Sequence, residues 1–302
     1  GNRLEDLVDL LAELLRDPLA HPLEPELIVV QSLGMERWLS LELARRQGVC
    51  ANVSFPFPNR FADDLHQRLT GRSAPSTAFE PARLRWHIFG LLEALSGRPG
   101  FDHVRSYLQG DERGLRRFQL AERLAHLFDQ YLVFRPDMIR RWERSEEGGW
   151  QAEIWRALVR RLSGETHRAE RARSLLDRLE EPLPGRLPER VSVFGIPALP
   201  RFHMDLLAAV ARHTPVNLFL MNPCREYWGD IASDGVIERV TGYVAEDAEA
   251  YLHWQQGHPI LASTGMTGRD FFDMIQEYPV EENDRFADPG EETLLRAVQS
   301  DV

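Results

Sequence analysis

The sequence predicts an α/β fold: a parallel sheet flanked by helices, with an all-helical insertion subdomain. Three observations carry this. Leu27-Ile28-Val29-Val30 is an unalternated apolar run that passes through a polar turn into an amphipathic helix, the pattern of a strand buried on both faces of a parallel sheet. Two further runs, VSVFGI from Val191 and VNLFLM from Val216, flank a helix carrying Phe202, Leu206 and Val210. Between the first strand and this strand–helix–strand unit lie about 100 residues of helical periodicity without a strand candidate, enough for a core of their own.

Taken in order, residues 4–16 form a helix, with Leu4, Leu7, Val8, Leu11 and Leu14 at helical spacing. The strand Leu27–Val30 follows, then the turn Gln31-Ser32-Leu33-Gly34 and a helix with Met35, Trp38, Leu39 and Leu43 on one stripe. The segment Val53–Pro58 is extended, because its prolines restrict the backbone and remove donors. Asn59 is placed to cap a helix carrying Phe61, Leu65 and Leu69. The small, polar stretch from about 72 to 80 reads as a linker.

Four helices are expected beyond it. They carry Leu84, Ile88, Leu91 and Leu95; Leu120, Leu124, Leu127 and Tyr131, ending at Arg135-Pro136; Ile154, Leu158 and Leu162; and Leu175, Leu176 and Leu179. Pro182-Leu183-Pro184-Gly185 closes the helical part, and the later strands rejoin the first sheet. The expected division is 1–75 plus 185–302 for the α/β domain and 76–184 for the insertion. After Trp228 the chain is acidic and loop-rich until a helix near Gly268–Gln276.

Composition excludes much chemistry. All 36 Lys+Arg residues are Arg, so there is no P-loop, kinase or Schiff-base lysine, and the planar guanidinium is a poor substitute for that point charge. Genomic base composition is the plain explanation of such usage. The turn after the first strand has one glycine, Gly34, and sets Glu36 where an anion would sit. The three strands lead to Gln31, Ile196 and Asn222, none a carboxylate that could hold magnesium. No dinucleotide fingerprint follows a strand, and no nucleophile-elbow motif occurs.

His126, Asp129 and Gln130 share a helix face, which reads as the polar flank of an amphipathic helix rather than a metal site. Cys50 and Cys224 are far apart and in no CxxC pair, a usage that fits a reducing, cytoplasmic setting without zinc. No cofactor is expected, and no run is long enough for a membrane span. The net charge is −11, so a nucleic acid would have to meet a local patch or rely on a partner's charge. The competing reading is an enzyme on a doubly wound sheet, with a small-molecule pocket at the strand C-terminal ends near Gly34 and Gly195.

The segments VVQSLGMERWL, ANVSFPFPNRF, LFDQYLVFRPDM, VFGIPALP and NPCREYWGDI occur in this order across nearly the whole chain. Together they resemble the N-terminal part of the RecC family, the gamma subunit of exodeoxyribonuclease V (the RecBCD helicase-nuclease). The family chain is several times longer, so the resemblance implies a fragment, one lacking the family's first strand before Asn2. It also implies a superfamily-1 helicase-like fold that has lost its ATPase motifs. Such a subunit is non-catalytic; in double-strand-break repair and recombination it splits the duplex, guides single strands and scans one for a Chi sequence. A RecB-like helicase-nuclease, a RecD-like helicase, DNA ends and single-stranded DNA are the implied partners.

The positions matching the family's Chi-strand contacts are Gln31, Leu33, Arg37, Phe57, Asp63, Leu127, Asp129, Arg135 and Arg168. Leu33 stands where the best-known pattern has a hydroxyl, Arg37 replaces an amide, and Asp63 replaces an aromatic. An amide reads adenine bidentately, whereas Arg prefers guanine or phosphate, and losing an aromatic removes a stacking platform. The resemblance therefore implies a different Chi-like octamer, or none. Plainer roles stay open: a strand-end backbone partner for Gln31, packing for Phe57, a surface ion pair for Asp129, and a helix C-terminal charge for Arg135.

Overall fold

A computed structural model describes residues 1–71, 76–182, 187–233, 235, 237 and 257–301. In chain order its elements are α1 (Leu4–Leu14), β1 (Glu26–Val29), α2 (Leu33–Gln47), β2 (Val53–Ser54), α3 (Pro58–Thr70) and a 3-10 turn (Thr77–Phe79). Then come α4 (Pro81–Leu95), α5 (Asp102–Leu108), α6 (Leu115–Phe134), α7 (Pro136–Glu143), α8 (Trp150–Arg161) and α9 (Arg168–Leu179). The last are β3 (Val191–Phe194), α10 (Arg201–Ala211), β4 (Val216–Phe219), α11 (Pro259–Thr264), α12 (Met266–Gln276) and α13 (Leu294–Asp301). The chain packs as two compact units, Gly1–Ala62 with Leu183–Val302, and Asp63–Pro182.

The first unit is α/β. Its strands are parallel in the order β2-β1-β3-β4, so β3 pairs directly with β1 although many helical residues separate them in sequence. All four residues of β3 are buried, which is why VSVF does not alternate. One sheet face packs Ile28, Val30, Phe194 and Phe219 against Leu7, Val8 and Leu11 of α1 and Leu39 and Leu43 of α2. On the other, Val29 and Val193 meet Phe61, Leu199 and Leu207. Helices on both faces are what parallel strands joined by crossovers require. At the entry end of the sheet, Arg190 grips Glu26 with two guanidinium nitrogens and donates to the carbonyls of Leu14 (3.0 Å) and Asp17 (2.7 Å).

The second unit is helical, with a core shared by α4, α6 and α8 around Leu84, Ile88, Leu92, Leu124, Phe128 and Trp155. Trp155 is fully buried, its ring 5.4 Å from Phe128 and 5.8 Å from Phe79. Its indole N–H donates to Glu143 Oε1 at 2.9 Å, as does His167 Nε2 at 2.9 Å. His167 Nδ1 accepts from the Glu170 amide at 3.2 Å and so caps α9; these partners fix the neutral tautomer.

Burial pushes the Glu143 carboxyl up, but the bonds from His167 and Trp155 outweigh it and hold the group below its usual 4.5. A carboxylate depressed by folding stabilises above its unfolded pKa and loses that contribution as the pH falls through the folded one. The helical unit should therefore lose stability as the pH drops from about 5, and E143Q should lose less over the same interval. Urea titrations at neutral and acid pH, read by amide exchange in α8, check this; an equal decline in both proteins would refute it.

Several expectations are corrected. The first helix ends at Leu14, and the strands are shorter, ending at Val29, Phe194 and Phe219. Asn59 does not cap α3. The helix starts at Pro58 and the Phe57 carbonyl receives the Phe61 amide at 2.8 Å, because proline suits a first helical position whose N–H would be unsatisfied anyway. The linker reading fails over Thr77–Phe79, a 3-10 turn capped by Ser76 with Phe79 buried; residues 72–75 lie outside the described residues. So do 183–186, where the closing Pro-Gly stretch falls, and most of the acidic stretch after Trp228. Helices α5, α7, α11 and α13 were not anticipated, and α12 starts at Met266. No described helix is long and apolar enough to cross a membrane.

Candidate functional site

In the α/β unit the expected positions gather where β1 and β2 end. These strands are neighbours, and the Val30 amide donates to the Pro56 carbonyl at 3.1 Å. Gln31 and Phe57 therefore leave adjacent parallel strands at the same end of the sheet. Gln31, Leu33 and Arg37 are exposed, and Phe57 is 40% exposed. Leu33 and Arg37 share one face of α2, and Leu41, a residue sequence reasoning passed over, extends that outward stripe by a turn. The signal was present in sequence: leucines eight residues apart, off the buried stripe of Leu39 and Leu43.

Beyond the strand ends, Met35 packs against Gly195. Gly195 has φ +63°, and a Cβ built there would meet Met35 Cε at 3.0 Å and Leu4 Cδ2 at 3.7 Å. Met35 and Leu4 thus lie against Gly195, one of the two glycines near which the competing reading put its pocket. The N-terminus of α2 is capped by its own chain. Ser32 Oγ accepts the Met35 amide at 3.1 Å, and the Ser32 carbonyl accepts the Glu36 amide at 3.1 Å. Glu36 in the first turn supplies the negative charge that the helix dipole favours. Beyond β4, Asn222 Oδ1 accepts the Trp228 indole N–H at 2.9 Å.

In the helical unit, Asp129 of α6 and Arg168 at the start of α9 face one another at 3.6 Å, both partly exposed. One turn along α9, Arg171 donates to Asp63 at 3.1 Å. Asp63 is thus occupied in an ion pair. His167 sets where α9 begins and therefore where Arg168 stands. Leu127 packs against the helical core. Arg135 is exposed at the break between α6 and α7; its amide donates to the Tyr131 carbonyl at 2.9 Å, and its carbonyl accepts the Ile139 amide at 3.3 Å. Asp129 and Arg168 are thus brought together and Asp63 joins the same helix, while Leu127 and Arg135 belong to other faces.

Charge divides sharply between the units. The segment Asp63–Pro182 holds 21 Arg against 19 Asp and Glu, a balance of +2. The α/β unit holds the remaining 15 Arg against 28 carboxylates, a balance of −13. The acidity of the whole chain is therefore a property of one unit.

A family model described as RecC, N-terminal domain, matches residues 1–302. The RecBCD enzyme subunit RecC of Escherichia coli strain K12 is 35% identical, the alignment covering 100% of this chain and 30% of that protein. The subunit of the same name from Haemophilus influenzae is 29% identical, with 100% and 32% covered. That of Mycolicibacterium smegmatis is 34% identical, with 100% and 27% covered. The chain spans about a third of the length of these curated relatives.

Proposed function

Because this chain belongs to the RecC N-terminal domain family along its whole length, we propose that it is the strand-handling part of a non-catalytic subunit of a RecBCD-type helicase-nuclease. It guides single-stranded DNA, scans it for a Chi-like sequence, and serves double-strand-break repair and recombination in the cytoplasm. A RecB-like helicase-nuclease and a RecD-like helicase supply the ATP hydrolysis, unwinding and cleavage. The observation that supports this is the group of exposed side chains at one end of a parallel sheet: Gln31, Leu33, Arg37 and Phe57 stand exposed where β1 and β2 end, beside a helix N-terminus capped by Ser32.

The departures at Leu33, Arg37 and Asp63 give the proposal its finer form: the complex reads an octamer other than the best-known Chi, or none. The Asp63–Arg171 pair supports this, since a carboxylate held by a guanidinium is not a stacking surface. The Arg168–Asp129 pair is partly exposed, and such pairs contribute about 0–1 kcal/mol, so Arg168 is free to exchange its carboxylate for a phosphate or a base edge.

The test uses the assembled complex and duplexes carrying candidate octamers, with nuclease products resolved by strand. A cleavage change at one octamer that differs from the best-known Chi, weakened about tenfold by R168A as loss of one good base contact predicts, is the expected result. Cutting that responds to the best-known Chi would overturn the altered-octamer reading. Unwinding and cutting unaffected by R168A or R135A would remove these residues from the strand path.

A further inference from the structure

The helical unit exposes an aromatic step that no role above uses. Trp86 of α4 is 56% exposed. Its ring lies 5.4 Å from Phe118 of α6 and 6.3 Å from Phe89. The Arg85 guanidinium sits 5.5 Å from the Trp86 ring and 5.6 Å from that of Phe118. Arg117 lies 4.0 Å from the Phe89 ring. Glu122 holds Arg85 at 3.1 Å, and Glu93 holds Arg117 at 2.6 Å. Two ion pairs and two ring contacts thus hold an indole that stays 56% exposed, where burying it would be the favourable course.

Its placement points to a ligand. Eleven residues, three helical turns, separate Phe118 from Asp129, so the two lie on the same side of α6 about 16 Å apart. On the same helices and the turn before α6, Arg83, Arg113, Arg116 and Arg123 are exposed. Arg83, Arg113 and Arg123 form no ion pair with a carboxylate among the described residues. Arg116 donates to the carbonyls of Tyr107 and Gln109 and lies within electrostatic reach of the Asp111 carboxylate. An exposed ring beside unpaired guanidinium groups, in the unit that is not acidic, is the combination that holds unpaired bases by their faces and the backbone by its charge.

We propose that Trp86, backed by Phe118 and Arg85, is a base-stacking step for single-stranded DNA, three helical turns from the Asp129–Arg168 pair along α6. This rests on the reading that a strand passes that pair. The step is sequence-tolerant, since every base has a face, so it serves grip rather than recognition.

The experiment uses the full-length chain assembled with its partner subunits and an oligothymidylate carrying 5-iodouracil at successive positions. Ultraviolet irradiation of the wild-type complex should join the probe to Trp86, found by mass spectrometry of the peptide. In equilibrium binding of unmodified oligothymidylate, W86A should weaken affinity about tenfold and W86F by less than about threefold. Absence of a Trp86 adduct, or W86A binding like wild type while R168A binds weakly, overturns the step and leaves the strand path. W86A and R168A both binding like wild type overturns both. A W86A chain that fails to assemble with its partners, while the wild-type complex yields no adduct, makes the patch a protein-docking surface and overturns the proposal.

Discussion

Trp155→Ala should remove about 3–5 kcal/mol from the helical unit, the range for deleting a fully buried tryptophan. Two losses combine. The void would lie between Phe79, Phe128 and His167, whose rings are 5.4–5.8 Å from the indole and are held by three separate segments that cannot close together. Glu143 would also lose the indole donor while keeping its place beside His167, leaving a half-buried carboxylate with one partner fewer. Hydrogen exchange of amides in α6 and α8 during a urea titration reads the effect. W155F, which refills part of the void, should recover about half. A loss below about 1 kcal/mol would mean that α8 can collapse onto α6 and that the aromatic cluster is not the centre of the unit.

Arg190→Ala should cost the α/β unit about 2–4 kcal/mol, because removing one partner of a buried pair strands the other. Side-chain exposure is 11% for Arg190 and 16% for Glu26. The guanidinium also takes the carbonyls that end α1 and begin the following turn, so its loss unsatisfies backbone acceptors as well as a charge. The informative comparison is R190M combined with E26M. Two apolar chains of similar length should restore most of the loss, since replacing both members of a buried pair is often neutral. If the double variant is as unstable as R190A alone, the backbone carbonyls rather than the charge pair carry the contribution. Denaturant midpoints of the three proteins separate these outcomes.

What could be read before the structure follows from the range of the signals. β3 announces itself because a strand buried on both faces needs continuous apolar residues, and β1 and β4 by their mainly apolar runs. α4 and α6 do so because their buried stripes run for about three turns, and α8 for about two. α7 has only Ile139 and Trp142 buried, too few to set a period, and Pro136 reads as an ending when it also serves as a beginning. The stretch before α4 looked like a linker because one anchor, Phe79, sits among small polar residues. The α2 stripe was legible on its buried side, but Leu41 was masked by the expectation that leucines face inward.

The candidate site is less legible still. Asp63 and Arg171 are 108 residues apart, and no local pattern signals their pairing. The packing of Met35 against Gly195 joins residues 160 positions apart in the sequence, and no local pattern signals it.

The unequal division of charge bears on how any polyanion meets this chain. Contacts made by the arginines of one unit release condensed counterions, and this attraction weakens as ionic strength rises. The net charge of −13 on the other unit opposes the approach of the same polyanion, and that repulsion also weakens as salt is added. The two trends oppose each other in a logarithmic plot of affinity against salt, so the fitted slope will undercount the phosphates engaged. Neutralising carboxylates of the α/β unit should steepen that slope without adding a single contact.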